Sequence, residues 1–130
     1  MTLNRGREGL RGRALSFRFA FEGWWYVLRT QRNAWIHAAV SAVVFGLAFW
    51  LRLSRWEWAI LLLATMAVWM AELFNTAVES VVDLTTPDYH PLAKVAKDVA
   101  AAAVLVGALG AVLVGLVIMG PPLWQRLILR

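Results

Sequence analysis

Residues 56–83, WEWAILLLATMAVWMAELFNTAVESVVD, decide the fold that this chain can adopt. The first half of the stretch is almost entirely apolar, and the whole stretch exceeds the ~20 residues that an α-helix needs to cross a bilayer. The second half carries three carboxylates and an amide, namely Glu72, Glu79, Asp83 and Asn75. Carboxylates are costly inside a membrane, so these groups require a chemical explanation.

The composition of the whole chain indicates an integral membrane protein. Of its 130 residues, 61% are hydrophobic, and the mean hydropathy is +0.62. Soluble domains are typically ~45–50% apolar. The net charge is +5, and the basic residues crowd into the first quarter of the chain. Beside a membrane segment, this pattern favours anionic lipid or a phosphorylated substrate over nucleic acid as the partner.

Two further features limit the class of protein. The chain contains no cysteine, which excludes disulfides and thiolate metal sites. Its N-terminal residues lack the short apolar core and small-residue cleavage site of a signal peptide. The sequence also lacks the phosphate-binding loop of P-loop enzymes, the zinc motif HExxH and the hydrolase motif GxSxG.

The apolar pattern predicts an all-α integral membrane fold with one surface helix and three transmembrane helices. Residues 1–13 are expected to be a flexible basic segment. Residues 14–29 mix aromatic and basic side chains, which is typical of an amphipathic helix in the membrane interface. A soluble helix packed on a core is the alternative. The spanning helices are expected at residues 33–53, 56–83 and 92–119, within a single domain of residues 14–120.

The ends of the spanning helices follow from turn residues and charge. Gly120, Pro121 and Pro122 are expected to end the third helix, leaving a short tail of residues 121–130. The distribution of Lys and Arg predicts a cytoplasmic N-terminus and a cytoplasmic loop between the second and third spans. The tight turn at residues 52–55 and the C-terminus would then lie outside.

The three carboxylates and the amide of residues 72–83 form one stripe. Glu72, Asn75, Glu79 and Asp83 follow a spacing that places them on one face of a helix, over roughly 16 Å of its length. Glu72 then lies within the hydrocarbon, where a carboxyl group must be neutral or paired, and it is a candidate general base. A solvated helix end is the alternative reading for Glu79 and Asp83.

A second group of polar residues precedes and opens the third span. It comprises Asp88, Tyr89, His90, Lys94, Lys97 and Asp98. Lys94, Lys97 and Asp98 share a face near the helix start, where basic side chains can hold phosphate. Ordinary basic residues flanking a membrane span are the alternative interpretation.

Two more inferences concern packing. Small residues between Ala100 and Gly115 indicate close contact between helices. His37 in the first span is interpreted as a packing or hydrogen-bonded histidine, because it has no partner at metal-ligand spacing. Three helices do not easily shield the polar stripe within one protomer, so a homo-oligomer with sites at subunit boundaries is expected.

Several motifs together resemble a known family. ELFNTAVE at residues 72–79, VD at 82–83, YH at 89–90 and KVAKD at 94–98 closely resemble the prokaryotic diacylglycerol kinase family of small membrane lipid kinases. SFRFAFEG at residues 16–23 and RNAWIH at 32–37 are similar to its undecaprenol kinase branch. The resemblance implies a homotrimer of three-span protomers in a bacterial inner membrane. It also implies transfer of the ATP γ-phosphoryl group, with Mg²⁺, to the hydroxyl of undecaprenol or diacylglycerol at the cytoplasmic face.

The resemblance also implies a role for each matching residue. Glu72 would be the catalytic base, and Asn75 would help to hold the catalytic site. The residues implied for ATP are Asp83, Tyr89, His90, Lys97 and Asp98, and those implied for the metal are Glu79 and Gln31. The family often has a glutamate where this chain has Gln31. A glutamine supplies an oxygen ligand without formal charge, so weaker metal binding is expected unless Glu22 or water compensates.

Other functions stay open from the residues alone. A small oligomeric transporter or a proton-conducting protein would also use a buried acid such as Glu72. That function does not explain why Glu79, Lys97 and Asp98 gather at the same membrane face. A family member without catalytic activity is a further alternative, and the sequence does not specify the acceptor lipid beyond the undecaprenol-like motifs.

Overall fold

The computed structural model describes residues 4–86 and 88–128, with side chains described from Leu15 onward. In this part of the chain four helices follow one another: α1 (Asn4–Thr30), α2 (Arg32–Leu51), α3 (Arg55–Thr85) and α4 (Pro91–Ile128). The last three are long and apolar enough to cross a membrane. The predicted all-α fold, with one N-terminal helix before three membrane-length helices, is therefore confirmed.

Helix α1 differs from the expected surface helix mainly in length. It begins at Asn4 rather than near Ala14, so most of the segment expected to be flexible is helical, while residues 1–3 lie outside the described residues. The side chains of α1 are mostly exposed between Leu15 and Tyr26, and its last two turns contact the bundle. There Val27 is buried, and the ring of Trp24 stacks on Trp69 of α3 with centroids 4.7 Å apart.

A tight turn joins α2 to α3. Arg52 ends α2 in the left-handed backbone region, with φ of 57°, and its N–H donates to the Phe49 carbonyl at 3.1 Å. Ser54 and Glu57 then form a reciprocal capping box that starts α3. This turn makes α2 and α3 antiparallel neighbours. We call this end of the bundle the turn end, and the end that holds Gln31 and residues 86–90 the loop end.

The third membrane helix is longer than the sequence predicts. Gly120, Pro121 and Pro122 were expected to end it, but α4 continues through both prolines to Ile128. Each proline removes one backbone donor, which weakens a helix at that point. Contacts with the bundle compensate: Arg126 Nη1 donates to the Trp50 carbonyl at 3.0 Å, and its guanidinium lies 5.2 Å from the Trp50 ring centroid. The expected tail is thus part of α4 as far as Ile128, and residues 129–130 lie outside the described residues.

The apolar core and the buried polar groups occupy opposite halves of the bundle. At the turn end, Ala48, Leu51, Leu61 and Met119 form a buried cluster from α2, α3 and α4. Toward the loop end, the buried residues of α3 are Glu72, Asn75 and Thr76. Between the two halves, α3 packs extensively on α4. The fold therefore concentrates its polar interior at one end of otherwise apolar helices.

Candidate functional site

Glu72 is completely buried in α3, with 0% of its surface exposed. Among the described residues, neither oxygen of its carboxyl group has a hydrogen-bond partner. Its neighbour across the α2–α3 interface is His37, whose Nε2 lies 3.8 Å from Glu72 Oε2. Burying a carboxyl group without hydrogen bonds is costly, and such groups inside membrane helices mark functional sites.

One to two helical turns further along α3, three side chains meet in what we call the amide–carboxylate cluster: Gln31, Asn75 and Glu79. Asn75 Nδ2 donates to Glu79 Oε1 at 3.2 Å, and Gln31 Nε2 donates to Glu79 Oε2 at 3.3 Å. Gln31 reaches α3 because it is the single extended residue between α1 and α2, with φ of −100° and ψ of 117°. The break in the helix thus carries this side chain to Glu79.

The amide–carboxylate cluster has the chemistry of a hard-cation site. The described residues contain no group of three or more His, Cys, Asp and Glu side chains that could hold a metal. Amide oxygens are nevertheless good ligands for Mg²⁺ and Ca²⁺. Asn75 Oδ1 is buried without a partner among the described residues, and a half-turn of the Gln31 amide would present its oxygen instead of its nitrogen. With the Glu79 carboxylate, these atoms provide a fitting set of oxygen donors.

An ion pair joins α3 to α4 beyond this cluster. Lys97 Nζ donates to Asp83 Oδ1 at 2.5 Å, one helical turn past Glu79 toward the loop end. Both side chains of this pair are accessible to solvent, so a phosphate group could compete with Asp83 for the lysine. The three carboxylates in the second half of α3 are therefore graded from the buried Glu72, through Glu79, to the exposed Asp83.

Three further residues implied for the nucleotide lie apart from these contacts. Asp98 pairs with Lys94 along the exposed surface of α4. Tyr89 is exposed in the loop before α4, and His90 Nδ1 accepts a hydrogen bond from the Leu92 N–H at 3.2 Å. The structure thus brings Gln31 to Asn75 and Glu79, and Lys97 to Asp83, but leaves Tyr89, His90 and Asp98 at the surface of the protomer.

The position of His37 beside Glu72 was not anticipated from the sequence, which suggested a packing or hydrogen-bonded histidine without naming its partner. The signal was present in the spacing. Helices α2 and α3 are antiparallel around a tight turn, so residues at similar distances from the turn meet. His37 and Glu72 are nearly equidistant from it. Finding the pair required knowing which faces of α2 and α3 pack together.

An apolar groove of about 400 Å³ leads along the bundle to His37. It lies between α2, α3 and α4, from Ile36 and His37 at one end to Met119 and Leu123 at the other. Nearly all of its lining is aliphatic, and His37 and Ser41 are polar exceptions near one end. The groove therefore suits a hydrocarbon chain, with the polar atoms placed where such a chain would end.

Comparison of the sequence with known proteins identifies the family of this chain. Residues 18–119 match the model of the prokaryotic diacylglycerol kinase family. The chain is 46% identical over 115 residues to a diacylglycerol kinase of Synechocystis sp., covering 88% of this chain and 66% of that protein. It is 45% identical over 108 residues to the undecaprenol kinase of Bacillus subtilis, covering 83% of this chain and 88% of that protein. A diacylglycerol kinase of Escherichia coli is 35% identical over 97 residues, covering 68% of this chain and 78% of that protein. The chain therefore belongs to the prokaryotic diacylglycerol kinase family.

Proposed function

We propose that this protein is a lipid kinase that transfers the γ-phosphoryl group of ATP, in the presence of Mg²⁺, to the hydroxyl group of a membrane lipid. The observation that carries the proposal is the graded series of Glu72, Glu79 and Asp83 on α3. A lipid hydroxyl comes from within the bilayer and a nucleotide comes from water, so their meeting place must reach from buried to exposed surroundings. Membership of a family whose relatives are named lipid kinases supports the same function.

The chemistry assigns a distinct task to each part of the site. Glu72 accepts the proton of the lipid hydroxyl, whose oxygen forms the new bond to the γ-phosphorus as the bond to the leaving ADP breaks. Glu79, Asn75 and Gln31 hold Mg²⁺, which when bound offsets the negative charge of the phosphates. Lys97 releases Asp83 and binds phosphate oxygens.

The residues at the loop end bind the nucleotide in this proposal. Asp83, Tyr89, His90 and Asp98 lie at or near the exposed surface there, which is where ATP arrives if the loop end faces the cytoplasm. The excess of Lys and Arg in the N-terminal region and at the start of α4 supports that orientation. The protein would then lie in a bacterial inner membrane with its C-terminus outside.

We propose undecaprenol as the first acceptor to test, and diacylglycerol as the second. The motifs at residues 16–23 and 32–37 favour undecaprenol by resemblance, and one relative is named an undecaprenol kinase. The groove that ends at His37 offers a path for an apolar chain of either lipid. The groove by itself does not discriminate between them.

Transfer of radiolabelled phosphate from ATP to lipid tests the proposal. Purified protein in vesicles is supplied with undecaprenol, diacylglycerol or ceramide, and we expect label in one of the first two lipids. The Glu72→Gln variant should lose activity by about 10²–10⁴-fold, as expected for the loss of a general base. Glu57→Gln is the matched control, because a glutamine can replace glutamate in the capping box at the turn end.

Two outcomes would overturn the proposal. One is the absence of labelled lipid with every acceptor when the wild-type protein is folded. The other is solute or proton flux across liposomes that needs no ATP and disappears in Glu72→Gln, which would identify a transporter.

A further inference from the structure

We propose that His37 is a positioning residue for Glu72, holding one carboxylate oxygen through its Nε2–H so that the other oxygen is free to accept the substrate proton. The inference deepens the proposed function and rests on it. No residue of α2 entered the catalytic roles assigned so far, so the proposal adds a second helix to the proton-accepting part of the site.

The first argument is that His37 and Glu72 each offer the hydrogen-bond partner that the other lacks. His37 Nε2 and both oxygens of Glu72 are buried, and none has a hydrogen-bond partner among the described residues. Buried polar atoms without partners are rare and call for an explanation. Their separation of 3.8 Å exceeds a normal hydrogen bond by less than ~1 Å. Hydrogen bonds of catalytic groups are often long without substrate and shorten in the reactive complex.

The second argument is that a set of contacts from three helices surrounds His37. Ser41 Oγ donates to the His37 carbonyl at 2.6 Å and accepts from Trp69 Nε1 at 3.4 Å. The Trp69 ring lies edge-on to the His37 ring, with centroids 6.1 Å apart. The ring of Trp24 from α1 in turn stacks on Trp69. Trp69, which is itself held by Ser41 and Trp24, therefore packs beside the imidazole at the α2–α3 interface. This is the arrangement by which surrounding residues fix the geometry of a reactive group.

The third argument concerns the bonds that form and break. The neutral tautomer of His37 that carries a proton on Nε2 donates to Glu72 Oε2 and keeps that proton throughout. The lipid O–H bond breaks, and its proton forms a new O–H bond on Glu72 Oε1. His37 touches neither the lipid nor ATP in this scheme. A hydrogen bond to the charged form of Glu72 favours an ionised carboxylate ready to accept a proton.

Three substitutions separate positioning from simple packing. Glutamine places an N–H near the position of Nε2, whereas asparagine reaches only to the position of Nδ1. We therefore expect His37→Gln to keep most of the wild-type kcat. We expect His37→Asn and His37→Ala to lower kcat by about 10- to 100-fold, the range for a hydrogen bond to a charged group. The KM for ATP should stay unchanged in all three variants, because the nucleotide binds elsewhere.

A matched control and a coupled pair of substitutions sharpen this test. Gln125→Ala, which removes a polar side chain from the exposed surface of α4 at the turn end, away from His37, should leave kcat close to that of the wild type. In a Glu72→Asp background, His37→Ala should lower kcat by a smaller factor than in the wild type, because the hydrogen bond that it removes is already impaired. Equal kcat values for the glutamine and asparagine variants, or an undiminished effect in the Glu72→Asp background, would overturn the proposal.

An infrared measurement distinguishes failure of this inference from failure of the proposed function. The carboxyl band of Glu72 is identified by its loss in Glu72→Gln. We expect that band to shift in His37→Asn and to stay near its wild-type position in His37→Gln, whether or not lipid is phosphorylated. A shifted band without any kinase activity would refute the lipid kinase proposal and retain the His37–Glu72 contact. An unshifted band in an active kinase would refute the contact alone.

Discussion

Gln31 is the residue at which one break in a helix determines the chemistry of the candidate metal site. As the only non-helical residue between α1 and α2, it directs its side chain to Glu79 instead of capping α2. A glutamate at this position would place two carboxylates side by side, which is unfavourable without a cation between them and favourable with one. The glutamine therefore relieves repulsion in the metal-free protein and weakens attraction for the metal.

This reasoning predicts the effect of Gln31→Glu on the magnesium requirement. We expect the Mg²⁺ concentration that gives half-maximal lipid phosphorylation to fall by about tenfold, since one added negative charge lies close to the cation. The measurement is activity as a function of free Mg²⁺ at saturating ATP. Gln125→Glu, which adds the same charge to the exposed surface of α4 near the turn end, should leave the requirement unchanged. An unaltered requirement in Gln31→Glu would place Gln31 away from the metal.

At the scale of single residues, the sequence predicts which side chains share one face of a helix better than it predicts which residues they contact. The spacing of Glu72, Asn75 and Glu79 suffices to place them on one face of a helix, because that is a local property. The contact between Gln31 and Glu79 joins residues 48 apart in the chain, and only resemblance to a family suggested it. The contact between His37 and Glu72 depends on which faces of α2 and α3 pack together, and local spacing does not specify this.

Among the helices, α3 and α4 approach closely at one glycine of the small-residue segment. A Cβ atom placed on Gly107 would lie 3.7 Å from the Val68 Cα of α3, whereas a Cβ on Gly110 would meet nothing within 4 Å. Gly107 thus lies where the two helices approach closely, at ordinary contact distance from α3, and small residues are common at such places in membrane helices. Gly110, three residues later, faces open space.

Leucine substitutions at these two glycines test the packing. We expect Gly107→Leu to destabilise the protein by about 1–3 kcal/mol, the usual cost of forcing a larger side chain into a packed contact. Gly110→Leu on the same helix is the control and should be close to neutral within one protomer. Both are measured by unfolding in mixed detergent micelles. Equal stability of the two variants would show that Gly107 does not set the distance between α3 and α4.

The length of α4 shows where local signals fail for a whole element. Two consecutive prolines are a strong local indication of a helix end, since both lack the backbone donor. The helix nevertheless continues, because Arg126 contacts Trp50 and Leu123 packs on the core at the turn end. Apolar length predicted the existence of all three membrane helices, while contacts between distant residues determined where the last one stops.

For the whole molecule, the placement of Asp98 bears on how many protomers form one site. Lys97 meets Asp83 of its own protomer. The next residue, Asp98, is turned by about 100° around α4 and pairs with Lys94 on the exposed surface. This direction favours a role for Asp98 at the site of a neighbouring protomer. We propose on this basis that the protein is a homo-oligomer, with a trimer as the expected state.

Mixing two inactive variants tests this shared arrangement. Glu72→Gln and Asp98→Asn are each expected to be inactive as pure oligomers. When equal amounts are unfolded, mixed and reassembled, a site formed by a protomer with intact Glu72 and a neighbour with intact Asp98 recovers function. Random assembly through head-to-tail contacts gives about a quarter of such sites. The matched control is a mixture of Glu72→Gln with Glu79→Gln, which should stay inactive because both residues belong to α3 of the same protomer. No recovery in the first mixture, or equal recovery in both, would contradict a site that takes Asp98 from the neighbour. No recovery would mean that α3 and α4 of one protomer serve the same nucleotide, despite the direction in which Asp98 points.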